Sequence, residues 1–245
     1  MAAAGKDLLR LALALCTCVL LGCGSGPAAG RDDRTADTAR VELVITRSDR
    51  EGQLVLSGSH DYVRERGSVT VKLEGTEDAE TDTPTEVRYF GERFYREMPW
   101  AGRTYWVSET EESGIGHLDQ VIVPFVGGEL DPRAALRVIL DAGNEEQLGQ
   151  EELRGAATTH YRVRLEPDDV RRELDGRPLD EAAGPLTTEV WGDDAKRLRR
   201  IRLIEETATL TYDFFDFGVE VDVERPPEEK IVTAAEFDRI TKVGR

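Results

Sequence analysis

Asparagine occurs once in the 245 residues, at Asn144, and lysine is far scarcer than arginine. That skew suggests a GC-rich genome and says nothing of mechanism. Cysteine is rarer than either basic residue, and Cys16, Cys18 and Cys23 all sit at the extreme N-terminus. If the chain is cut before Cys23, the exported part has no disulfide, no cysteine-based zinc site and no thiol nucleophile. It must hold together by its core. A dense basic block is also missing: 32 Lys and Arg stand against 49 Asp and Glu, a formal charge of −17. Nucleic-acid binding needs a basic footprint to neutralise phosphates, so that class is set aside. A polytopic membrane protein is excluded as well, because no apolar run approaches the roughly 20 residues of a spanning helix.

Signatures of catalysis are equally scarce. No Gly-x-Ser-x-Gly elbow, His-Glu-x-x-His helix or phosphate-binding glycine loop is present. His60, His117 and His160 lie far apart without zinc-ligand spacing and read as surface or hydrogen-bonded structural histidines. The acidic stretch Glu74, Glu77, Asp78, Glu80 and Asp82 lacks the spacing and turn glycine of a calcium loop and reads as a solvated hairpin loop. With so many acids, carboxylates fall near one another by chance, and no spacing singles out a glycosidase-like pair. The expectation is therefore no enzyme, no metal and no cofactor.

What is present begins with the leader. Lys6 and Arg10 make a positive start, Leu11 to Leu21 an apolar run of signal-peptide length, and Leu20-Leu21-Gly22-Cys23 a lipobox-like end. Residues 1-22 are expected to be a lipoprotein signal peptide, with Cys23 the lipidated residue. Two or more acyl chains, at about 0.8 kcal/mol per buried methylene, would hold the protein on the extracytoplasmic face of the cell membrane. Acidity would then keep its body off an anionic surface. Residues 23-37, poor in apolar groups, form the lipidated cysteine and a flexible tether. Residues 38-245 are expected to form one domain.

From Thr38 onward a period of two recurs. Val41, Leu43 and Ile45 alternate with polar neighbours or Val44, as do Val69, Val71 and Leu73. The same holds for Tyr161, Val163 and Leu165, for Ile201 and Leu203, for Leu210, Tyr212 and Phe214, and for Val219, Val221 and Val223. About ten strands are implied. Charge at alternate positions, especially Arg200 and Arg202, predicts an antiparallel sheet with one wetted face. Asp131 and Pro132 open a helix that Gly143 closes, and its run of Ala134, Ala135, Leu136, Val138, Ile139 and Leu140 is that of a buried helix. Helical turns are also expected at Thr233 to Ile240 and at Asp168 to Leu174. The fold class is α+β: a long curved antiparallel sheet, or half-barrel, wrapped around one or more helices on its concave apolar face.

Several of these pieces occur in one order. They are the lipobox at Cys23, the aromatic stretch Val87 to Val107 with Phe94-Tyr95 and Tyr105-Trp106, and the Asp131-Pro132 helix. After them come Glu152-Leu153-Arg154-Gly155, Thr158-Thr159-His160-Tyr161, and Phe215-Asp216-Phe217-Gly218 before Pro226. In this order the chain resembles the actinobacterial lipoproteins related to the mycobacterial glycolipid carriers, within the superfamily of lipoprotein-localisation half-barrels. The resemblance spans most of residues 38 to 232 and implies a hydrophobic cavity for acyl chains. Many relatives carry a longer helix before the first strand, where only about Arg31 to Asp37 is available here, so part of the usual lid is missing.

The residues expected to line such a cavity are aromatic and aliphatic. Tyr89, Phe90, Phe94, Tyr95, Met98, Trp100, Tyr105 and Trp106 crowd a short stretch and suit either a plain core or a pocket for acyl chains. The lining set is Phe90, Tyr95, Trp100, Trp106, Leu136, Ile139, Leu140, Val163, Ile201, Leu203, Tyr212 and Phe214. Gly114 and Gly116, near Ile115, precede Val121 to Val126 in a segment expected to act as a flap. Two functions follow. One is a monomeric, lipid-anchored carrier whose partners are a lipid or other acyl ligand and the membrane. The other is an envelope sensor or interaction lipoprotein of the same fold, with a filled core and a protein partner; some relatives resemble regulators of anti-sigma factors.

Overall fold

The computed structural model describes residues 37–49, 51–75, 83–91, 93–110, 131–165, 186–204 and 207–243. The leader and Cys23, the segment with Gly114, Gly116, His117 and Val121 to Val126, and the expected turns at Asp168 to Leu174 lie outside these residues.

Six strands run as an antiparallel meander: β1 (Thr38–Arg47), β2 (Gln53–Asp61), β3 (Arg66–Glu74), β4 (Thr85–Phe90), β5 (Arg93–Trp100) and β6 (Arg103–Thr110). Helix α1 (Pro132–Ala142) follows. Five more strands form a second meander: β7 (Asn144–Leu153), β8 (Ala156–Leu165), β9 (Leu186–Asp193), β10 (Leu198–Ile204) and β11 (Ala208–Phe215). Strand β11 pairs antiparallel with β1, with Leu43 opposite Tyr212 and Ile45 opposite Leu210, so the two meanders fuse into one sheet. Finally β12 (Ile231–Thr233) joins β6 in parallel and leads into helix α2 (Ala234–Val243). The result is a large open sheet of twelve strands, with β12 at one edge and β7 at the other.

The period-two residues select the face. Val41, Leu43 and Ile45 of β1, Leu56 of β2, Val69 of β3, Ile201 and Leu203 of β10, and Leu210, Tyr212 and Phe214 of β11 form one hydrophobic cluster with α1. Successive side chains of a strand point to opposite faces, and in-register neighbours share one, so this inner face runs across most of the sheet. Helix α1 packs on it over β8, β9 and β10.

Helix α1 starts as its sequence dictates. The Asp131 side chain accepts a hydrogen bond from the Arg133 amide, and Pro132 takes the first turn. Ala135, Leu136 and Ile139 are buried, while Arg133, Arg137 and Asp141 form an exposed stripe. Its end differs from expectation. Gly143 is extended rather than left-handed (φ −128°, ψ 176°), because β7 begins at the next residue. Helix α2 opens on a capping box: Glu236 accepts from the Thr233 amide and hydroxyl, and the Glu236 amide donates to the Thr233 hydroxyl oxygen.

Val219, Val221 and Val223 are not in a strand. The chain from Gly218 to Pro227 is a strap across the other, outer face. Thr38 Oγ1 donates to the Val219 carbonyl, Arg66 to that of Val221 and Arg88 to that of Glu224, while Val221 and Val223 are buried. Alternation there comes from crossing one face of the sheet, not from pairing within it.

Candidate functional site

The sequence-predicted lining residues divide between the two faces. Leu136 and Ile139 of α1, with Val163, Ile201, Leu203, Tyr212 and Phe214, are all at most 4% exposed and share the inner hydrophobic cluster; Leu140 packs half-buried against it. Trp100 belongs to the same face by register, two residues beyond Met98 and four beyond Arg96, which pairs with Val87 of the cluster. Phe90, Tyr95 and Trp106 do not. Tyr95 lies opposite Arg88 and Ser108, and Trp106 opposite Glu97, positions that alternate with the inner residues Phe94 and Val107. These three aromatics sit on the outer face, where the strap passes. The Arg225 guanidinium lies 5.5 Å from the Phe90 ring centre, and Arg88 lies 4.5 Å from that of Trp106. They cannot line an interior shared with α1.

Helix α1 sits closely because β9 carries a glycine beneath it. A Cβ at Gly192 would collide with Leu136 Cδ2. The absent side chain is the socket into which Leu136 fits.

Within the inner face lies a polar island centred on His60, which the sequence marked as a surface or hydrogen-bonded structural histidine without indicating its partners. His60 is 1% exposed and is bonded through Nδ1 to the Tyr89 hydroxyl. Its ring packs against Tyr62 (4.1 Å between centres) and stacks with Tyr89 (5.0 Å). Small residues make the room. His60 is in register with Ala39 of β1 and Gly67 of β3, and Gly67 is in register with Tyr89 of β4. Burial pushes the His60 imidazole down to about 3, and the Asp131 and Asp61 carboxylates only partly oppose it. Burial likewise raises the Tyr62 phenol well above its ordinary value, helped by Tyr212 and Asp131. Both groups are neutral at physiological pH. Neither His60 Nε2 nor the Tyr62 hydroxyl has a hydrogen-bond partner among the described residues. The available signal was a histidine at the two-residue spacing of Leu54 and Leu56.

The outer face of β8 to β11 is an ion-pair lattice, as the alternating charges predicted. Asp213, 4% exposed, accepts from Arg200 at 2.5 and 2.7 Å and from Arg154 Nε at 2.9 Å. Glu189 lies within 4 Å of Arg162 and Arg202. His160 stacks on Trp191 with ring centres 4.0 Å apart, while Trp191 Nε1 donates to Glu151. A cavity of about 450 Å³ on this side, over β1 and β2, is lined by Arg40, Glu42, Ser57, Ser59 and Phe215 among others. Its mixed polar wall does not suit an acyl chain. Among the described residues, no group of three His, Cys, Asp or Glu side chains is placed to hold a metal ion. No helix among them is long and apolar enough to cross a membrane.

No family model matches the chain. A Streptomyces coelicolor protein named as a lipoprotein is 26% identical over 215 residues, covering 78% of this chain and 68% of that protein. In structure, the chain is similar to LprF from Mycobacterium bovis, with a TM-score of 0.50 at 16% identity over 78% of this chain and 91% of the other. The Mycobacterium tuberculosis lipoprotein LppX aligns with a TM-score of 0.48 at 13% identity, over 77% and 90% of the two chains. The resemblance drawn from the sequence is thus met by a mycobacterial structural neighbour and by an actinobacterial sequence relative.

Proposed function

We propose that this chain is a lipid-anchored, extracytoplasmic protein that holds the acyl chains of a lipid between α1 and the inner face of the sheet. The carrying observation is the one-sided sheet: an apolar face extending from β1 to β5 and β8 to β11, with α1 packed on it over β8 to β10. A continuous apolar face of that breadth is the kind of wall against which acyl chains pack. The fold shared with LprF and the lipoprotein name of the Streptomyces relative support the same reading. On it, residues 1-22 are a signal peptide, Cys23 carries the anchor, and residues from 38 onward curve as a half-barrel about the helix. The chain binds and presents lipid and performs no covalent chemistry; transport across the envelope is the purpose such binding would serve.

The test is direct. Full-length protein is purified in mild detergent beside Leu140→Arg, and the lipids extracted from each are identified by mass spectrometry. Leu140 is half-buried, so arginine there reaches the interior without replacing a fully packed residue. Near-stoichiometric lipid in the wild type, lost from folded Leu140→Arg, is expected. A lipid-free wild type that also takes up no added phospholipid would overturn the proposal in favour of a filled core and a protein partner.

A further inference from the structure

The polar island has a donor inventory that can be worked out atom by atom. A neutral imidazole carries one ring proton. The Tyr89 hydroxyl and His60 Nδ1 can share their hydrogen bond in either direction; donation from the hydroxyl leaves one group unmet, the ring Nε2–H, whereas donation from Nδ1 leaves two, the Tyr89 O–H and the Nε2 lone pair, so the first tautomer is the one assigned. Nε2–H is then a buried donor, and the Tyr62 O–H is a second one two residues along the chain. Neither has an acceptor among the described residues. Buried donors without acceptors are costly, and native proteins satisfy them with a protein group, a water or a ligand. The nearby charges are already engaged. Arg133 is paired with Asp131 and Asp37, and Asp61 is held by Arg64 and by the Val63 and Arg64 amides.

We propose that His60 Nε2–H and Tyr62 O–H form a neutral two-donor anchor for the carbonyl oxygen of an ester-linked acyl chain bound at the inner face. The chemistry selects the ester. One carbonyl oxygen has two lone pairs for two donors, whereas a carboxylate would bring an uncompensated charge into an apolar site. An ether or a plain hydrocarbon would leave both donors without a carbonyl. Placement agrees: Tyr62 packs, partly buried, against the apolar cluster that holds Tyr212 and Phe214, whose ring centres are 4.4 Å apart, so the anchor adjoins that cluster. The inference rests on the acyl-binding reading above and adds what fixes the ligand's depth and linkage.

The full chain in detergent is titrated with dipalmitoylglycerol and with its ether analogue dihexadecylglycerol, and bound probe is counted by native mass spectrometry. The wild type is expected to prefer the ester by about tenfold, the worth of one well-made buried hydrogen bond. Tyr62→Phe and His60→Phe should each bring that ratio toward one while ether binding persists, which also shows that the variants are folded. Equal affinity of wild type for both probes, or an ester preference unchanged in both variants, would overturn the anchor and leave its donors to buried water, with the acyl-binding reading intact. Binding of neither probe would overturn that reading and the anchor with it.

Discussion

Tyr89 reaches over Gly67 to place its hydroxyl on Nδ1 of His60, two strands away. The arrangement exists because position 67 has no side chain. A Cβ there would collide with the Tyr89 hydroxyl and with the Ser59 carbonyl oxygen. Only the first of those neighbours is a side chain that can turn aside. Gly67→Ala is therefore expected to cost about 3 kcal/mol, at the upper end of the overpacking range. Urea denaturation checks it, and an unchanged midpoint would mean that the β2–β3–β4 row is looser than its register indicates.

The same pair sets a pH dependence. The unfolded imidazole takes up a proton below about pH 6.5, but the folded one refuses it until about pH 3. The unfolded state thus binds more protons between those values, so stability drops as pH is lowered through that window, by up to about 1.4 kcal/mol per unit. Above it His60 contributes no slope. Asp61 acts at lower pH: burial would raise it, but hydrogen bonds from the Arg64 amide and guanidinium outweigh that and hold it below the usual range. Its stabilisation is lost as pH falls through that lowered value. Because His60→Phe retains Asp61, the difference between the two unfolding curves isolates the imidazole; equal slopes from pH 6.5 to 4 would contradict its burial as a neutral base.

Tyr62→Phe removes a buried hydroxyl that has no partner among the described residues and keeps the ring against His60. In ligand-free protein the variant is expected to be more stable by about 1 kcal/mol, because an unsatisfied buried group is a cost rather than a contact. Thermal unfolding of delipidated protein measures it. Destabilisation would show that the hydroxyl is satisfied in the unliganded state.

Most of the sheet was legible because its strands bury one face: Val163 of β8, Ile201 of β10 and Tyr212 of β11 announced themselves by alternation. Strand β7 did not. Its sequence Asn144–Leu153 is exposed on both sides at the sheet edge, and acidic residues with a register shift between Gln147 and Gly149 leave no period to read. Helix α1 was legible from Asp131, Pro132 and its apolar run, but the residue after its end was not, since a strand following without a loop overrides the preference of Gly143. The aromatic stretch was misread as one surface for a geometric reason. Phe94 and Tyr95 are neighbours on β5, as Tyr105 and Trp106 are on β6, and neighbours on a strand must face opposite ways. Covered by a strap rather than by α1, the outer three looked no different in sequence. His60 was read as a surface or hydrogen-bonded structural histidine, but its partner was not legible, because nothing local marks a residue 29 positions away.

The socket beneath α1 gives a reciprocal prediction. Gly192→Ala places a methyl against Leu136 Cδ2 and is expected to cost about 2 kcal/mol, while Leu136→Ala alone leaves a cavity costing about 3 kcal/mol. Together they should cost clearly less than the sum, because the new methyl occupies space that the leucine vacates. A double-mutant cycle by chemical denaturation gives the coupling. Strict additivity would mean that the helix is not seated through this pair.

Asp213 joins the two ends of the second meander. Arg154 sits in the turn between β7 and β8 with φ 48°, followed by Gly155 at φ 78°, the left-handed pair of a tight hairpin. From there its guanidinium reaches Asp213 on β11 and Glu42 on β1 and lies 4.2 Å from the Phe215 ring centre, while Arg200 approaches the same carboxylate from β10. Asp213 is buried, but the arginine side chains are 36% and 26% exposed, so solvent screens part of each attraction. Asp213→Asn is expected to cost about 2 kcal/mol, less than the loss of a fully buried pair, because both guanidiniums can turn to water. The Arg154→Ala and Asp213→Asn cycle should yield a coupling of about 1 kcal/mol that 1 M salt only partly removes. A coupling near zero would free the hairpin tip from β11. A coupling that salt leaves largely intact would instead show that the turn is clamped onto the outer face, holding from behind the strands β8 to β10 on which α1 rests.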